Sequence, residues 1–328
     1  MDNTVLKRLK NAGLLSEQVP PLGFVSTGSY ALNKIISGDF TKGIPIGMIT
    51  QFHGEASTAK TVFATHILKE AQAKGYYTML VDSENAYNPE FAEHLGIDPT
   101  KLIYSTPETL EECFQVIEDT ILAIRETDKD TPIVVAYDSI AVSPSKAEYE
   151  AETYESHNMQ GAIRAKSTGA CLRKINPLMR KHKVAFVMIN QIRHKTGVMY
   201  GSPDTMAAGG KALEYYLGVN LKCISNNKSD LIKNEHKNAI GIQGRVRNTK
   251  NKCSIPFREC EFELLFNEGL SPYTGVLKQL EVEGLVIRSG AWYTVKESGK
   301  KFQSKEFETL LLDPLEQGFS DLRKFFGV

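Results

Sequence analysis

Short apolar runs alternate with longer amphipathic segments through most of this chain. The apolar runs predict strands at residues 48–53, 76–81, 132–137, 184–190, 218–225 and 239–249. Helical spacing of apolar residues predicts helices at residues 61–73, 110–125 and 162–182. Because strands that alternate with helices require right-handed crossovers, the pattern predicts an α/β fold: a mostly parallel sheet with helices on both faces.

Two changes in this pattern divide the chain. An amphipathic segment at residues 1–15 ends at Pro20-Pro21, and the composition changes again near Gly269. Beyond that point the pattern predicts a helix, a small hairpin around Ser289-Gly290 and a last helix, at residues 271–284, 285–295 and 319–326. We therefore expect an N-terminal helical arm at residues 1–22, a core at residues 23–270 and a small α+β domain at residues 271–328.

Composition limits the classes of function without selecting one. The 328 residues include 39 basic and 39 acidic side chains, so a nucleic-acid surface would have to be local. The five cysteines include no C-x-x-C pair, which favours a reducing compartment over a disulfide framework or a structural zinc site. No apolar run reaches about 18 residues, so we expect no membrane span.

The segment between the first strand and the first helix of the core carries a phosphate-binding pattern. It matches G-x-x-x-x-G-K-S/T except that Ala59 occupies the place of the second glycine. In this pattern backbone N–H groups and a helix N-terminus bind the phosphates, the lysine reaches the β- and γ-phosphates, and the hydroxyl binds Mg²⁺. Because alanine resists positive φ, the alternative is a turn without a nucleotide. The predicted ATP-binding loop is Gly54, Glu55, Ala56, Ser57, Thr58, Ala59, Lys60 and Thr61.

Two carboxylates follow predicted strands. Asp138 ends the run at residues 132–137, and the carboxyl ends of parallel strands lie beside the phosphate loop. Asp138 is therefore placed to hold Mg²⁺ together with Thr61, and its alternative role is a helix N-cap. Glu84 follows the run at residues 76–81 and could orient or deprotonate a water. Asp82 points to the same side, so the pattern does not separate the two, and a solvated loop acid is a further alternative for Glu84.

A polar strand end and a long basic loop form the next candidate. Gln191 follows the run at residues 184–190, where an amide can bind a γ-phosphate and report its loss. The loop from Arg193 to Gly210 is long, glycine-containing and basic at its start, and such loops are usually functional. Its cations could bind a nucleic-acid backbone, as could the basic stretch at residues 222–252, whose alternative role is a solvated face.

Several segments together resemble the bacterial RecA family of recombinases, including its phage UvsX-type members. Residues 189–205 resemble the family's phosphate sensor and second DNA-binding loop, and residues 209–213 resemble the segment that closes this loop. Residues 25–29, 81–86 and 290–293 resemble its entry strand, its catalytic glutamate segment and its C-terminal domain. The resemblance covers nearly the whole chain.

This resemblance implies roles for individual residues. The implied catalytic residues are Glu84, Lys60 and Gln191. Phe91 falls where the family stacks an aromatic ring on adenine, and Asn88 falls at a polar adenine contact. Lys250 and Lys252 match a pair that reaches the ATP site of the neighbouring subunit. The implied DNA-binding residues are Met159, Arg164, Arg193, His194, Lys195, Thr196, Gly197, Gly209 and Gly210.

The implied function is ATP-dependent homologous recombination. A DNA-dependent ATPase with ATP and Mg²⁺ would form a helical filament of identical subunits on single-stranded DNA and exchange strands with a duplex. The expected location is the bacterial cytoplasm, and the phage-like variations favour a viral or mobile-element origin for the gene. One alternative function is a RecA-fold ring helicase, against which the loop at residues 193–210 and the Trp292 region argue. The other is a weakly hydrolysing or non-hydrolysing DNA-coating modulator, which Ala59 favours and the retained Glu84 disfavours.

Overall fold

The computed structural model describes residues 20–151, 160–194, 205–207, 210–225 and 230–328. The helix predicted within the N-terminal arm lies outside these ranges. The strands are β1 (Phe24–Val25), β2 (Ile44–Pro45), β3 (Ile49–Gly54), β4 (Tyr77–Asp82), β5 (Leu102–Ser105), β6 (Ile133–Asp138), β7 (Val184–His194), β8 (Thr205–Ala207), β9 (Leu217–Ile224), β10 (Leu231–Lys233), β11 (Ala239–Asn251), β12 (Glu259–Leu265), β13 (Gly269–Leu270), β14 (Val286–Ser289), β15 (Trp292–Val295) and β16 (Lys301–Gln303).

The helices lie between these strands and after the last of them. They are α1 (Tyr30–Ser37), α2 (Lys60–Ala73), α3 (Pro89–His94), α4 (Leu110–Thr127), α5 (Lys146–Tyr149), α6 (Gln160–Lys181), α7 (Gly210–Tyr216), α8 (Val276–Val282), α9 (Phe307–Leu312) and α10 (Ser320–Phe326). Local chemistry sets several of their ends. Thr109, for example, starts α4 with a capping box in which its side chain and that of Glu112 satisfy each other's backbone N–H groups.

One large sheet organises the core. Its strand order is β13-β12-β11-β9-β3-β7-β6-β4-β5, with β10 beside β11 and β8 beside β7. The six strands from β9 to β5 pair in parallel, whereas β11, β12 and β13 extend the sheet in antiparallel pairing. The predicted mostly parallel α/β sheet is confirmed. Sequence analysis missed β5, β8, β10, β12 and β13.

Both faces of the central parallel strands are covered, which explains why their sequences are mainly apolar. Along β6, Val134 and Ala136 belong to one hydrophobic cluster, and Ile133, Val135 and Tyr137 belong to the other. On the first face Phe63 of α2 stacks on Phe52 at 5.4 Å between ring centroids. Truncating a buried Phe of this kind typically costs about 3–5 kcal/mol, so this packing holds α2 and the loop before it against the sheet.

The C-terminal part of the chain carries a separate three-stranded antiparallel sheet, β14-β15-β16. The predicted hairpin is β14 and β15, and the third strand was missed. The helix predicted at residues 271–284 begins only at Val276, because Gly275 has a left-handed φ of 78° that a helix does not accommodate. A Cβ at this position would also lie 2.8 Å from the Glu261 carbonyl oxygen, which explains why the residue is glycine. Tyr30 packs on Phe326 at 5.0 Å between ring centroids, so this region contacts α1 of the core. The domain boundaries at residues 22 and 270 stay predictions.

Candidate nucleotide site

The predicted phosphate loop connects β3 to the N-terminus of α2, at the carboxyl end of the parallel strands. Ala59 has φ 65° and ψ 14°, and Ser57 also has a positive φ. This conformation explains why the pattern normally has glycine at the second fixed position. An L-residue in the left-handed region costs roughly 1–2 kcal/mol, so Ala59 keeps the course of the loop at some cost in strain.

Lys60 folds back across its own loop. Its Nζ donates to the Glu55 carbonyl oxygen at 2.5 Å and lies 3.4 Å from Thr58 Oγ1, and the lysine is 7% exposed. Burial lowers the pKa of the Lys60 ammonium, and the nearby acidic groups counteract that effect. An ammonium group at a helix N-terminus is suited to bind phosphate oxygens in place of this carbonyl oxygen.

Thr61 and Asp138 meet at the same end of the sheet. Thr61 Oγ1 donates to Asp138 Oδ2 at 2.6 Å. Burial raises the pKa of Asp138 to about 6, with further contributions from Glu84 and Asp82. Hard oxygen donors beside excess negative charge fit Mg²⁺, which also takes ligands from water and substrate phosphates. No helix begins at Asp138, since the next one, α5, is capped by Ser145, so the helix N-cap alternative is wrong.

The structure separates the two acids that the sequence pattern left equivalent. Asp82 is 2% exposed, and its carboxylate accepts from the backbone N–H groups of Glu84 and Tyr87 and from the Tyr104 hydroxyl. Asp82 therefore orders the loop after β4. Glu84 instead lines the cleft beside the phosphate loop, where its Oε1 accepts from Ser139 Oγ at 2.6 Å and from Gln191 Nε2 at 3.0 Å.

These groups surround one cleft of about 560 Å³, within the usual size of a small-molecule site. Phe91 is 40% exposed and lines the cleft, and its role as an adenine platform stays a prediction. Asn88 Oδ1 accepts from the Phe91 backbone N–H at 3.0 Å and so caps α3; its adenine contact stays a prediction. Sequence analysis missed the apolar lining from Ile189, Leu231, Ile242, Leu264 and Phe266.

Three buried side-chain amides connect β7, the strand that carries Gln191, to its neighbours. Asn190 Nδ2 donates to Gln51 Oε1 at 3.1 Å, and Gln51 Nε2 donates to Asn220 Oδ1 at 3.0 Å. The three residues lie on adjacent strands, β7, β3 and β9, and each is less than 9% exposed. This row fixes the backbone directly before Gln191, and the only sequence signal for it was polar residues inside otherwise apolar runs.

Lys250 and Lys252 lie away from the phosphate loop of their own chain. Lys250 pairs in register with Asn220, which pairs with Gln51, so Lys250 is level with the early part of β3. Their ammonium groups donate to backbone carbonyl oxygens at the end of α7, of Glu214 and Tyr215. The structure therefore does not bring this pair to the cleft of the same subunit.

The predicted DNA-binding residues are only partly described. Arg164 on α6 forms an ion pair with Glu148 at 3.1 Å and lies near the Ala141 carbonyl oxygen. Arg193 and His194 end β7, where they pair with Met206 and Thr205 of β8, and Gly210 begins α7. These assignments stay predictions. The remaining residues, Met159, Lys195, Thr196, Gly197 and Gly209, lie outside the described part of the chain.

In the described ranges, no helix combines the length and apolar character that crossing a membrane requires. The same ranges contain no group of three or more His, Cys, Asp or Glu side chains arranged to hold a metal ion. A cation at Thr61 and Asp138 would therefore depend on phosphate and water for its other ligands.

The fold and the site define a phosphate-loop protein of the α/β class. A family model described as the RecA N-terminal domain matches residues 11–271. The chain is 36% identical over 286 residues to Protein RecA of Acidothermus cellulolyticus, covering 87% of this chain and 78% of that protein. It is 36% identical over 287 residues to Protein RecA of Heliobacterium modesticaldum, covering 87% and 76%.

A third relative, Protein RecA of Clostridium acetobutylicum, is 34% identical over 270 residues, covering 82% of this chain and 72% of that protein. The chain belongs to the RecA family, and it is a recombinase of that family. The alternatives of a ring helicase and of a DNA-coating modulator are not favoured by these relatives. The phage source stays a prediction.

Proposed function

We propose that the chain is a DNA-dependent ATPase that assembles on single-stranded DNA and exchanges that strand with a homologous duplex. The observation that carries the proposal is the convergence of Lys60, Thr61, Glu84, Asp138 and Gln191 on one cleft. A phosphate-binding loop alone would indicate only a nucleotide binder. A buried acid beside a hydroxyl, together with a second carboxylate in the same cleft, adds what hydrolysis requires.

Each residue has a distinct task in this reaction. Lys60 and the backbone N–H groups of the loop bind and orient the phosphates. Thr61 and Asp138 would hold Mg²⁺, which supplies neutralisation of charge on the phosphates. Glu84 accepts a proton from a water while the water oxygen bonds to the γ-phosphorus and the bond from phosphorus to ADP oxygen breaks. Gln191 donates to the γ-phosphate and loses that bond when phosphate leaves.

The proposed filament follows from where Lys250 and Lys252 lie. Both ammonium groups are at the end of α7, level with the early part of β3, and so are remote from the cleft of their own subunit. Cations in that position complete an ATP site only if a neighbouring copy presents its cleft to them. Binding of ATP would then strengthen the contact between subunits, and polymerisation would depend on nucleotide.

The proposed DNA contacts are to the phosphate backbone and are largely independent of sequence. Single-stranded and double-stranded DNA are the expected partners. The strand end at Arg193 and His194 joins the sensor residue Gln191 to the predicted DNA-binding loop. A change in the hydrogen bond of Gln191 would therefore shift the backbone at Arg193, two residues further along β7. This shift provides a route by which the bound nucleotide changes the affinity for DNA.

The nucleotide site is tested by removing the phosphate-binding lysine. We expect Lys60→Ala to abolish ATP hydrolysis and ATP-dependent filament growth on single-stranded DNA, measured by phosphate release and by electron microscopy. Lys69→Ala is the matched control, because Lys69 lies on the same helix outside the cleft. Normal filament growth by Lys60→Ala would refute the site assignment.

The interface arrangement is tested by mixing inactive variants. A Lys250→Ala/Lys252→Ala variant retains an intact phosphate loop. The Lys60→Ala variant retains both lysines that would act on the neighbouring subunit. Mixed filaments should therefore contain some complete sites and recover part of the DNA-stimulated ATPase activity. A mixture of Lys60→Ala with Thr61→Ala serves as the control, since both lesions fall in the same loop and should not complement. Absence of recovery at every mixing ratio would contradict the arrangement.

A further inference from the structure

Asp138 and Ser139, at the end of β6, each form a hydrogen bond with a residue that lines the cleft. Asp138 accepts a hydrogen bond from Thr61 on the phosphate-loop side. Ser139 is fully buried, and its Oγ donates to Glu84 Oε1 at 2.6 Å on the other side. A hydroxyl has one proton to donate and an ionised carboxylate can only accept, so the direction of this hydrogen bond is fixed.

The backbone of Ser139 is held from several directions. Its N–H donates to Ser83 Oγ at 3.1 Å, and its carbonyl oxygen accepts from Ser83 Oγ at 3.0 Å and from Ser143 Oγ at 3.2 Å. The Ser83 backbone N–H in turn donates to the Asp138 carbonyl oxygen at 2.8 Å. The hydroxyl therefore projects from a rigid part of the molecule, as a residue that orients a reacting group requires.

The carboxylate of Glu84 is anchored at one oxygen. Oε1 accepts from both Ser139 and Gln191, whereas Oε2 has no hydrogen-bond partner within the part of the chain that the structure describes. One oxygen is thus fixed and the other is left to accept a proton. Gln191 has to turn its amide towards a γ-phosphate in the proposed reaction. Ser139 is then the donor that keeps Glu84 in place.

We propose that Ser139 is the positioning residue for Glu84, so that the Asp138-Ser139 pair orients the cation side and the base side of the cleft together. This inference rests on the proposed role of Glu84 in ATP hydrolysis. A misplacement of a reacting group by about 1 Å can lower a rate by roughly 100-fold. Loss of the Ser139 hydroxyl therefore lowers kcat and leaves nucleotide binding intact, since Ser139 is fully buried and is not among the residues that line the cleft.

The test measures kcat and KM for ATP with single-stranded DNA present, and the Kd of a fluorescent ATP analogue. Ser139→Ala should lower kcat by roughly 10- to 100-fold while KM and Kd stay within about twofold. Ser139→Cys keeps a side chain of similar shape with a weak hydrogen-bond donor, so its kcat should lie between those of the wild type and Ser139→Ala. Ser29→Ala is the control, because Ser29 is also a buried serine, but its Oγ accepts from the Leu32 N–H in α1 and lies outside the cleft. An unchanged kcat in Ser139→Ala, or an equal loss in Ser29→Ala, would overturn the inference.

A double-mutant cycle separates positioning from a structural effect. Glu84→Gln removes the base, so adding Ser139→Ala to it should lower the residual single-turnover rate by less than about twofold. A full additional loss in that background would overturn the inference, because Ser139 would then act independently of Glu84. If Glu84→Gln itself hydrolyses ATP normally, the proposed base assignment fails. If Glu84→Gln is inactive and Ser139→Ala is fully active, only the role of Ser139 fails.

Discussion

Replacing Asp138 by asparagine should stabilise the protein without nucleotide and weaken its stabilisation by nucleotide. Asp138 is 6% exposed, and burial beside Glu84 and Asp82 raises its pKa from 3.8 to about 6. Its charged form is therefore disfavoured in the folded state. Asparagine removes the charge and keeps an oxygen that can accept the hydrogen bond from Thr61 Oγ1.

The size and sign of the effect follow from the two pKa values. Between pH 3.8 and about 6 the folded state holds a proton that the unfolded state has lost, so this group makes stability fall as pH rises through that window. A shift of about two units corresponds to about 3 kcal/mol of destabilisation at neutral pH. Lowering the pH from about 7.5 to about 5 should recover about 1 kcal/mol of this amount in the wild type and none in Asp138→Asn.

Urea denaturation in EDTA at the two pH values measures this difference. A second series with Mg²⁺ and ATP should show the opposite order, because the wild type gains stability from binding and Asp138→Asn gains much less. Asp98→Asn is the control. The pKa of Asp98 is lowered to about 2, chiefly by a hydrogen bond from Lys101, so the Asp98→Asn protein should still gain stability when the pH is lowered to about 5. An Asp138→Asn protein less stable than wild type in EDTA at neutral pH would refute the reasoning.

Three further substitutions test the phosphate loop, the cleft and the packing of α2 against the core. In Ala59→Gly, relief of about 1–2 kcal/mol of strain opposes about 0.5–1 kcal/mol of backbone entropy and about 0.8 kcal/mol of lost methyl burial, so Tm should move by only a few degrees. Phe91→Ala removes the half-exposed ring from the cleft and should weaken ATP binding about 10-fold in a nucleotide titration. His66→Ala leaves the Leu270 N–H without the ring nitrogen that accepts from it at 3.1 Å, and should cost about 2–4 kcal/mol in chemical denaturation.

The features that sequence predicted well are those that local pattern determines. Most of the parallel strands are mainly apolar because they are buried on both faces, and Asp138 could be placed because such a run ends at it. The phosphate loop was found despite Ala59, because the strand before it and the helix after it are both marked by pattern. Its lysine and threonine then followed from their position in the motif.

The features that sequence could not supply depend on pairing between distant segments. The apolar half of the cleft comes from Leu231, Ile242 and Leu264, which meet only because β10, β11 and β12 pair in antiparallel register. No local pattern reports that register. The local pattern also left Asp82 and Glu84 equivalent, and only the family resemblance favoured Glu84, because the chain turns after β4 and Asn85 takes a φ of 51°.

Strand exchange between circular single-stranded DNA and homologous linear duplex DNA tests the central claim most directly. The account predicts that the protein with Mg²⁺ and ATP produces joint molecules and then nicked circles, and that hydrolysis of ATP rises when single-stranded DNA is added. Omitting ATP, or using Lys60→Ala, should abolish both products. Equal pairing without nucleotide, or no pairing under any condition while ATP is hydrolysed, would contradict the account.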